Sequence, residues 1–250
     1  MNILVLILIF CFFFSTYGKS ACESQCYHDQ EPRCRTTLTE STVRNWTGVY
    51  KIFDGSVNFV CAFRSLPTPV DVRWRYRSRS ENRFHFVPCA KIQKREFCSS
   101  NENGEHEVKV ECLLRLNQLD LTGEYKCEGR QEGGSSVTGH HADIEVIGIE
   151  SIKFTGRQLR VGAVGHVEIK ICANPQPEVF WILPDGSFLQ PRQSRGGFSV
   201  GPLVSAVNFT TTPGKYEPYC YTNRLVIGKV KDTKLEVIVR NVGETRRLKV

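Results

Sequence analysis

Cysteines are the residues of this chain best able to do chemistry, and their context points to oxidation rather than to catalysis or metal binding. Eleven are present, and removal of Cys11 with an apolar leader leaves ten. An even number in an exported chain reads as five disulfides. Cys61 and Cys127 form one expected bridge. Cys22, Cys26 and Cys34 make one group of three, and Cys89, Cys98 and Cys112 make another. Six cysteines allow fifteen connectivities, so spacing assigns none of these pairs. Parity still constrains them. If all six pair within the chain, an odd number of bridges joins the two groups, stapling the Cys-rich N-terminus to the domain that follows; an intermolecular disulfide is the alternative. Cys22-x-x-x-Cys26 with His28 nearby is a poor zinc pattern, because zinc sites use tighter pairs with a matching second pair.

Other reactive constellations are missing from the sequence. It holds no GxSxG, HExxH, glycine-rich phosphate loop or suggestively placed carboxylate pair. His140-His141 reads as a solvated polar turn, and His28, His85, His106 and His166 are scattered among charged residues. The expectation is a non-enzyme without cofactor or metal. Arg73, Arg75, Arg77 and Arg79 are the more suggestive set. With Trp74 inward, side-chain alternation turns all four outward as a ladder with rungs about 7 Å apart. Arginine favours protein interfaces through its planar, multi-donor head. The competing reading is that Glu124, Lys126 and Glu128 of the neighbouring strand pair with the ladder and leave a solvated, neutral face.

The elements that must position these residues are short strands. Val57, Phe59 and Cys61 alternate inward on one strand, Val72 and Trp74 on the next, and Cys112, Leu114 and Leu116 on another. Tyr125 then precedes Cys127 by two residues. This Cys–Trp–Tyr-x-Cys order predicts an immunoglobulin sandwich: the cysteines pin facing sheets, the indole packs on the bridge, and the tyrosine closes the corner before strand F. The long Cys61–Cys127 separation leaves room for extra strands, which predicts a variable-type domain. The second half repeats the plan around Trp181, with Val167, Ile169 and Ile171 inward on strand B and Val237 and Val239 inward on strand F. Ile169 stands where a pin cysteine is expected, and strand F has no cysteine, so an apolar Ile169/Val237 contact is the expected replacement. Cys172 and Cys220 fall out of phase with the core and are expected to pair across neighbouring strands on the outer face. The fold class is therefore all-β, two tandem immunoglobulin-like β-sandwiches, the second of intermediate type without the B–F disulfide.

Residues 3–14 form an apolar run too short to span a bilayer and followed by small residues, which predicts a signal peptide over residues 1–18; a retained anchor is the alternative. A Cys-rich segment over 19–40, a first domain over 41–147 and a second over 148–250 complete the expected organisation. No Pro/Gly/Ser-rich spacer separates the domains, which predicts limited hinge freedom. The net charge of +7 favours acidic partners or sulfated glycans. Nucleic acid is not expected for an exported chain, and no transmembrane span is encoded. Sequons at Asn45 and Asn208 predict surface glycosylation. The expected location is secreted, extracellular.

These features resemble immunoglobulin-superfamily surface and secreted proteins of invertebrates over residues 48–250. LTGEYKCE is similar to the strand F region of the beaten-path group of axon-guidance proteins. NPQPEVFWILPDG, the missing strand-F cysteine and RLVIGKVKDTKLEVIVRNVGETRR look more like membrane-proximal domains of fasciclin III-like adhesion molecules. The resemblance implies cell–cell recognition, including neuronal adhesion or guidance, through another immunoglobulin-type surface receptor. The lack of an anchor departs from fasciclin III-like receptors and favours a secreted ligand. The runners-up are a matrix- or glycan-binding protein held by Arg73 to Arg79 and by Arg246-Arg247-x-Lys249, and a secreted antagonist.

Overall fold

The computed structural model describes residues 37–40, 46–66, 70–98, 106–131, 136–208, 215–231 and 234–250. The expected leader, Cys22, Cys26, Cys34 and Asn45 lie outside them. The first half contains β1 (Thr37–Glu40), β2 (Gly48–Lys51), β3 (Ser56–Leu66), β4 (Val70–Ser78), β5 (His85–Phe86), β6 (Lys91–Cys98), β7 (His106–Arg115), β8 (Gly123–Gln131) and β9 (Ser136–Gln158). One sheet runs β1–β3–β7–β6. Facing it are β9–β8–β4–β5, with β2 added parallel to β9. Of the strands between β4 and β7, β5 extends the β4 sheet and β6 joins β7.

Period-two burial drives this pairing. Val57, Phe59, Cys61, Val110, Cys112 and Leu114 are buried on one sheet, and Val72, Trp74, Tyr125 and Cys127 on the other. Cys61 and Cys127 are disulfide-bonded across the sheets. Around them the Phe59 ring lies 5.1 Å from both Trp74 and Tyr125, and Trp46 meets Phe59 and Trp74 edge-on at 5.6 and 5.5 Å. The Tyr125 hydroxyl donates to the Leu121 carbonyl at 2.6 Å, closing the corner after a 3-10 turn at Leu119–Leu121. Burial pushes the Tyr125 phenol above its ordinary pKa. A second bridge, Cys89–Cys112, ties the segment after β5 to β7.

The second half contains β10 (Gly165–Asn174), β11 (Glu178–Ile182), β12 (Phe188–Leu189), β13 (Ser194–Arg195), β14 (Phe198–Val200), β15 (Val204–Asn208), β16 (Lys215–Ile227), β17 (Glu236–Asn241) and β18 (Glu244–Lys249). The sheet β12–β11–β17–β18 faces β13–β14–β16–β10–β9. Val167, Ile169, Ile171, Trp181, Leu225, Val237 and Val239 form a separate, mostly aliphatic core. Cys172 and Cys220 sit directly opposite each other on β10 and β16 and are bridged. The molecule is thus all-β, two tandem immunoglobulin-like sandwiches, and no cysteine pins the second core.

β9 belongs to both sandwiches, so the chain passes between them without leaving a strand. Gly148 is the conformational break within it: its φ is +124°, and a Cβ there would stand 2.8 Å from Ile52 Cγ2. Side chains close the joint. Glu150 Oε2 accepts from the Leu119 amide at 2.9 Å, Asn174 Nδ2 donates to the Val146 carbonyl at 2.8 Å, and Arg246 donates to the Ile149 carbonyl at 2.7 Å. Cys172 is also buried with the first core, so the bridge on the outer face of the second sandwich is packing material for the joint.

Candidate recognition face of the first domain

The outer surface of β5, β4, β8 and β9 is where the arginine ladder stands. The pairing register puts Arg73 opposite Glu128, Arg75 opposite Lys126 and Arg77 opposite Glu124. Two cations directly across a ladder repel, so Arg75 and Lys126 need compensation. Glu128 supplies part of it, with Oε1 2.7 Å from Lys126 Nζ and Oε2 3.5 Å from Arg75 Nε. Arg77 pairs with Glu124, Arg73 with Asp71, and Arg79, in the turn past β4, lies 3.6 Å from Asp143 on β9. All four arginines therefore have carboxylate partners. The face is a grid of opposed charges, and the competing reading of the ladder describes its local pairing.

Two aromatic rings that the sequence reading passed over complete the compensation. Phe86 lies 4.5 Å from the Arg75 guanidinium carbon and 5.8 Å from that of Arg73. Phe84 lies 5.0 Å from the Arg77 guanidinium carbon and 4.3 Å from Lys126 Nζ. The signal for them was the alternation in Arg-Phe-His-Phe, which sends Phe84 and Phe86 to one face and His85 to the other, where it meets Tyr76. Phe86 is 58% exposed.

His140 and His141 are in β9, not in a turn; the strand starts at Ser136, so its alternation sorts them to opposite faces. His140 is half-buried beside Trp46, while His141 Nδ1 lies 2.7 Å from Glu124 Oε1. Burial tends to raise the pKa of the Glu124 carboxyl, but hydrogen bonds from His141 and Arg77, with their charges, outweigh it, and the net shift is downward. Arg246-Arg247-x-Lys249 is not one cluster. Arg246 is held by Glu244 and the Ile149 carbonyl at the joint, and Arg247 by Glu236 on the neighbouring strand.

Of the glycosylation sequons, Trp46 is buried in the first core and Thr47 Oγ1 accepts from the Asp143 amide at 3.1 Å, while Asn208 ends β15. Among the described residues, no group of three or more His, Cys, Asp or Glu is arranged to hold a metal, and no helix is long and apolar enough to cross a membrane.

No protein-family model matches the chain, and no curated protein matches it. Solved structures of immunoglobulin-domain proteins are similar to it at low identity. A three-domain titin fragment is 14% identical over 86% of this chain and 63% of its own, with a TM-score of 0.40. The amphioxus IgVJ-C2 molecule is 15% identical over 81% and 98%, with a TM-score of 0.37. Extracellular domains 3–5 of Drosophila OTK are 13% identical over 86% and 60%, with a TM-score of 0.32. The chain spans less than two thirds of the titin and OTK fragments.

Proposed function

We propose that this chain is an extracellular recognition protein that docks a cell-surface protein, itself of immunoglobulin type, through the outer β5–β4–β8–β9 face of its first domain. The observation that carries the reading is Phe86, an exposed ring flanked by Arg73 and Arg75 on a rigid sheet. Aromatic and arginine side chains dominate binding energy at protein interfaces when a partner desolvates them. Here Arg75 is held by Glu128 across the strands, Arg73 by Asp71 on its own strand, and Phe86 by both guanidinium groups, so docking immobilises few additional rotamers. The grid of opposed charges supplies register and selectivity more than bulk attraction. Export through the leader at 1–18, glycans on Asn45 and Asn208, and a role in adhesion or guidance signalling, including between neurons, belong to the same proposal. No reactive centre takes part in it.

The test is a screen of the tagged, secreted protein against extracellular receptor domains, with itself included. Phe86→Ala should weaken the hit about 10- to 100-fold, and Arg75→Glu with Arg77→Glu should abolish it. Unchanged affinity in both variants eliminates this face.

A further inference from the structure

β11 is apolar on both of its sides. The run Val179-Phe180-Trp181-Ile182-Leu183 sends Val179, Trp181 and Leu183 into the second core and turns Phe180 and Ile182 outward. A sandwich strand with one wet face alternates apolar with polar residues, as β4 does in Val72-Arg73-Trp74-Arg75. An unbroken apolar run is instead the pattern of a strand covered on both sides. β17 repeats it, with Ile238 facing outward between the buried Val237 and Val239. Among the described residues, only the inner side is covered.

The pairing register gathers the outward residues of β12, β11, β17 and β18 into three rows. Phe188, Ile182, Glu236 and Lys249 form the first, Phe180, Ile238 and Arg247 the second, and Glu178, Arg240 and Thr245 the third. Phe188, Ile182, Phe180 and Ile238 are thus contiguous, and Phe188 is 58% exposed. Ion pairs frame this apolar patch, Glu178 with Arg240 at 3.7 Å and Glu236 with Arg247 at 2.7 Å. The Arg240 guanidinium carbon also lies 5.5 Å from the Phe180 ring centre. The Asn208 sequon falls on β15, in the opposite sheet.

We infer that this face packs on the same face of a second copy of the chain, forming a two-fold dimer through the second domains. The face is complementary to itself. A two-fold axis along the strands, between β11 and β17, lays β11 of one copy over β17 of the other, row on row. Phe180 then meets the second copy's Ile238, and Glu178 meets its Arg240. Phe188 meets its Lys249, a cation against an aromatic ring. Ile182 meets its Glu236, a carboxylate already neutralised by Arg247. No like charges coincide, as a contact between identical surfaces requires. A strongly charged partner gains little from a face whose ion pairs are already made. Three rows about 7 Å apart on four strands about 4.8 Å apart cover roughly 400 Å². That is half of the about 800 Å² that each side of a standard interface buries, so the dimer is weak. The contact is independent of the first-domain docking face and stands or falls without it.

Sedimentation equilibrium of the full chain is the test. The parent should pass from monomer to dimer between about 1 μM and 1 mM. Phe180→Glu and Ile238→Lys should each raise the dimer dissociation constant about 10-fold or more, because each dimer then buries two unpaired charges. Mixed in equal amounts, the two variants should associate again. The two-fold sets the new carboxylate over the new ammonium at one contact and keeps Phe180 over Ile238 at the other. Ile182→Thr with Phe188→Thr, which keeps strand propensity, should weaken the dimer without burying a charge. Arg75→Glu with Arg77→Glu should dimerise like the parent, which separates this contact from the first-domain face. The inference is overturned if the parent stays monomeric up to about 1 mM, or if the threonine variant dimerises like the parent. It is equally overturned if the mixed variants, each with the parent's urea midpoint, fail to associate, or if the first-domain variant loses association. Binding to phosphatidylcholine vesicles in place of self-association also overturns it and assigns the patch to a lipid surface.

Discussion

In the first sandwich Trp74 stands opposite Cys127 in register, and in the second Trp181 stands opposite Val237. The neighbouring strands extend the correspondence: Cys61 faces Val110, and Ile169 faces Asn223. The first core therefore combines a covalent pin with an aliphatic residue, and buried Trp74 Nε1 has no hydrogen-bond partner among the described residues. The second core replaces the pin with Ile169 and Val237 and places an asparagine where the first has valine. Trp181 Nε1 donates to Asn223 Oδ1 at 2.8 Å, while Asn223 Nδ2 donates to the Gly201 and Pro202 carbonyls at 2.9 and 3.3 Å. One fold thus fixes its central indole by a disulfide and stacked rings, or by a hydrogen-bonded amide in an aliphatic core. Freed from the core, the second domain's bridge serves the joint.

The largest effect that would break this comparison comes from the pin. Cys61→Ala with Cys127→Ala opens a loop of 66 residues, and the chain-entropy account assigns about 4 kcal/mol to it. Urea unfolding followed by peptide-resolved hydrogen exchange should show that loss in the first sandwich, with the second core retained. A loss below about 1 kcal/mol would mean that the aromatic cluster, not the disulfide, holds the first core.

Much of this contrast is readable from the chain, because burial enforces a strict two-residue period. Cys61, Trp74, Tyr125 and Cys127 announce the first core, and the missing strand-F cysteine announces that the second differs. Asn223 is harder to read, since a polar residue in the run Thr-Asn-Arg-Leu-Val-Ile has the pattern of an exposed strand end until the register brings Trp181 above it. Cys89–Cys112 was hidden by the degeneracy of six unassigned cysteines. The alternation in Arg-Phe-His-Phe puts Phe84 and Phe86 on one face, but a turn separates them from the arginines they cover, so it does not disclose the contact. The depth of the joint was also invisible. Its limited freedom follows from the short link, but the bonds from Glu150, Asn174 and Arg246 depend on how β9 twists through both sandwiches.

A smaller perturbation sharpens the comparison from the other side. Asn223→Val gives the second core the residue that the first has in register. It leaves Trp181 Nε1 unpaired in a dry interior, at a cost of about 1–3 kcal/mol. The matching experiment is the shift of the second sandwich's unfolding midpoint in urea. No shift would mean that the indole needs its amide no more than Trp74 does, and the two cores would then be equivalent apart from the disulfide.

The smallest expected effect concerns the surfaces. The cations of the first domain's face are paired, and Glu124, like Glu128, is an acid with two partners, here Arg77 and His141. Its carboxyl titrates below the ordinary value in the folded state. Its contribution to stability is therefore complete above the unfolded carboxyl's pKa and is lost as pH falls through the depressed folded value. Because the pairs are partly exposed, that contribution is below about 1 kcal/mol and shrinks with added salt. Glu124→Gln should remove this acid-limb component, flattening the urea midpoint of the first domain between neutral pH and strongly acidic pH relative to the parent. It should leave the urea midpoint of the second sandwich unchanged, since Arg77 and His141 both belong to the first. If the same variant moves the second midpoint equally, the two sandwiches unfold as one unit across the joint, and the contrast between their cores is not a contrast between independently stable domains.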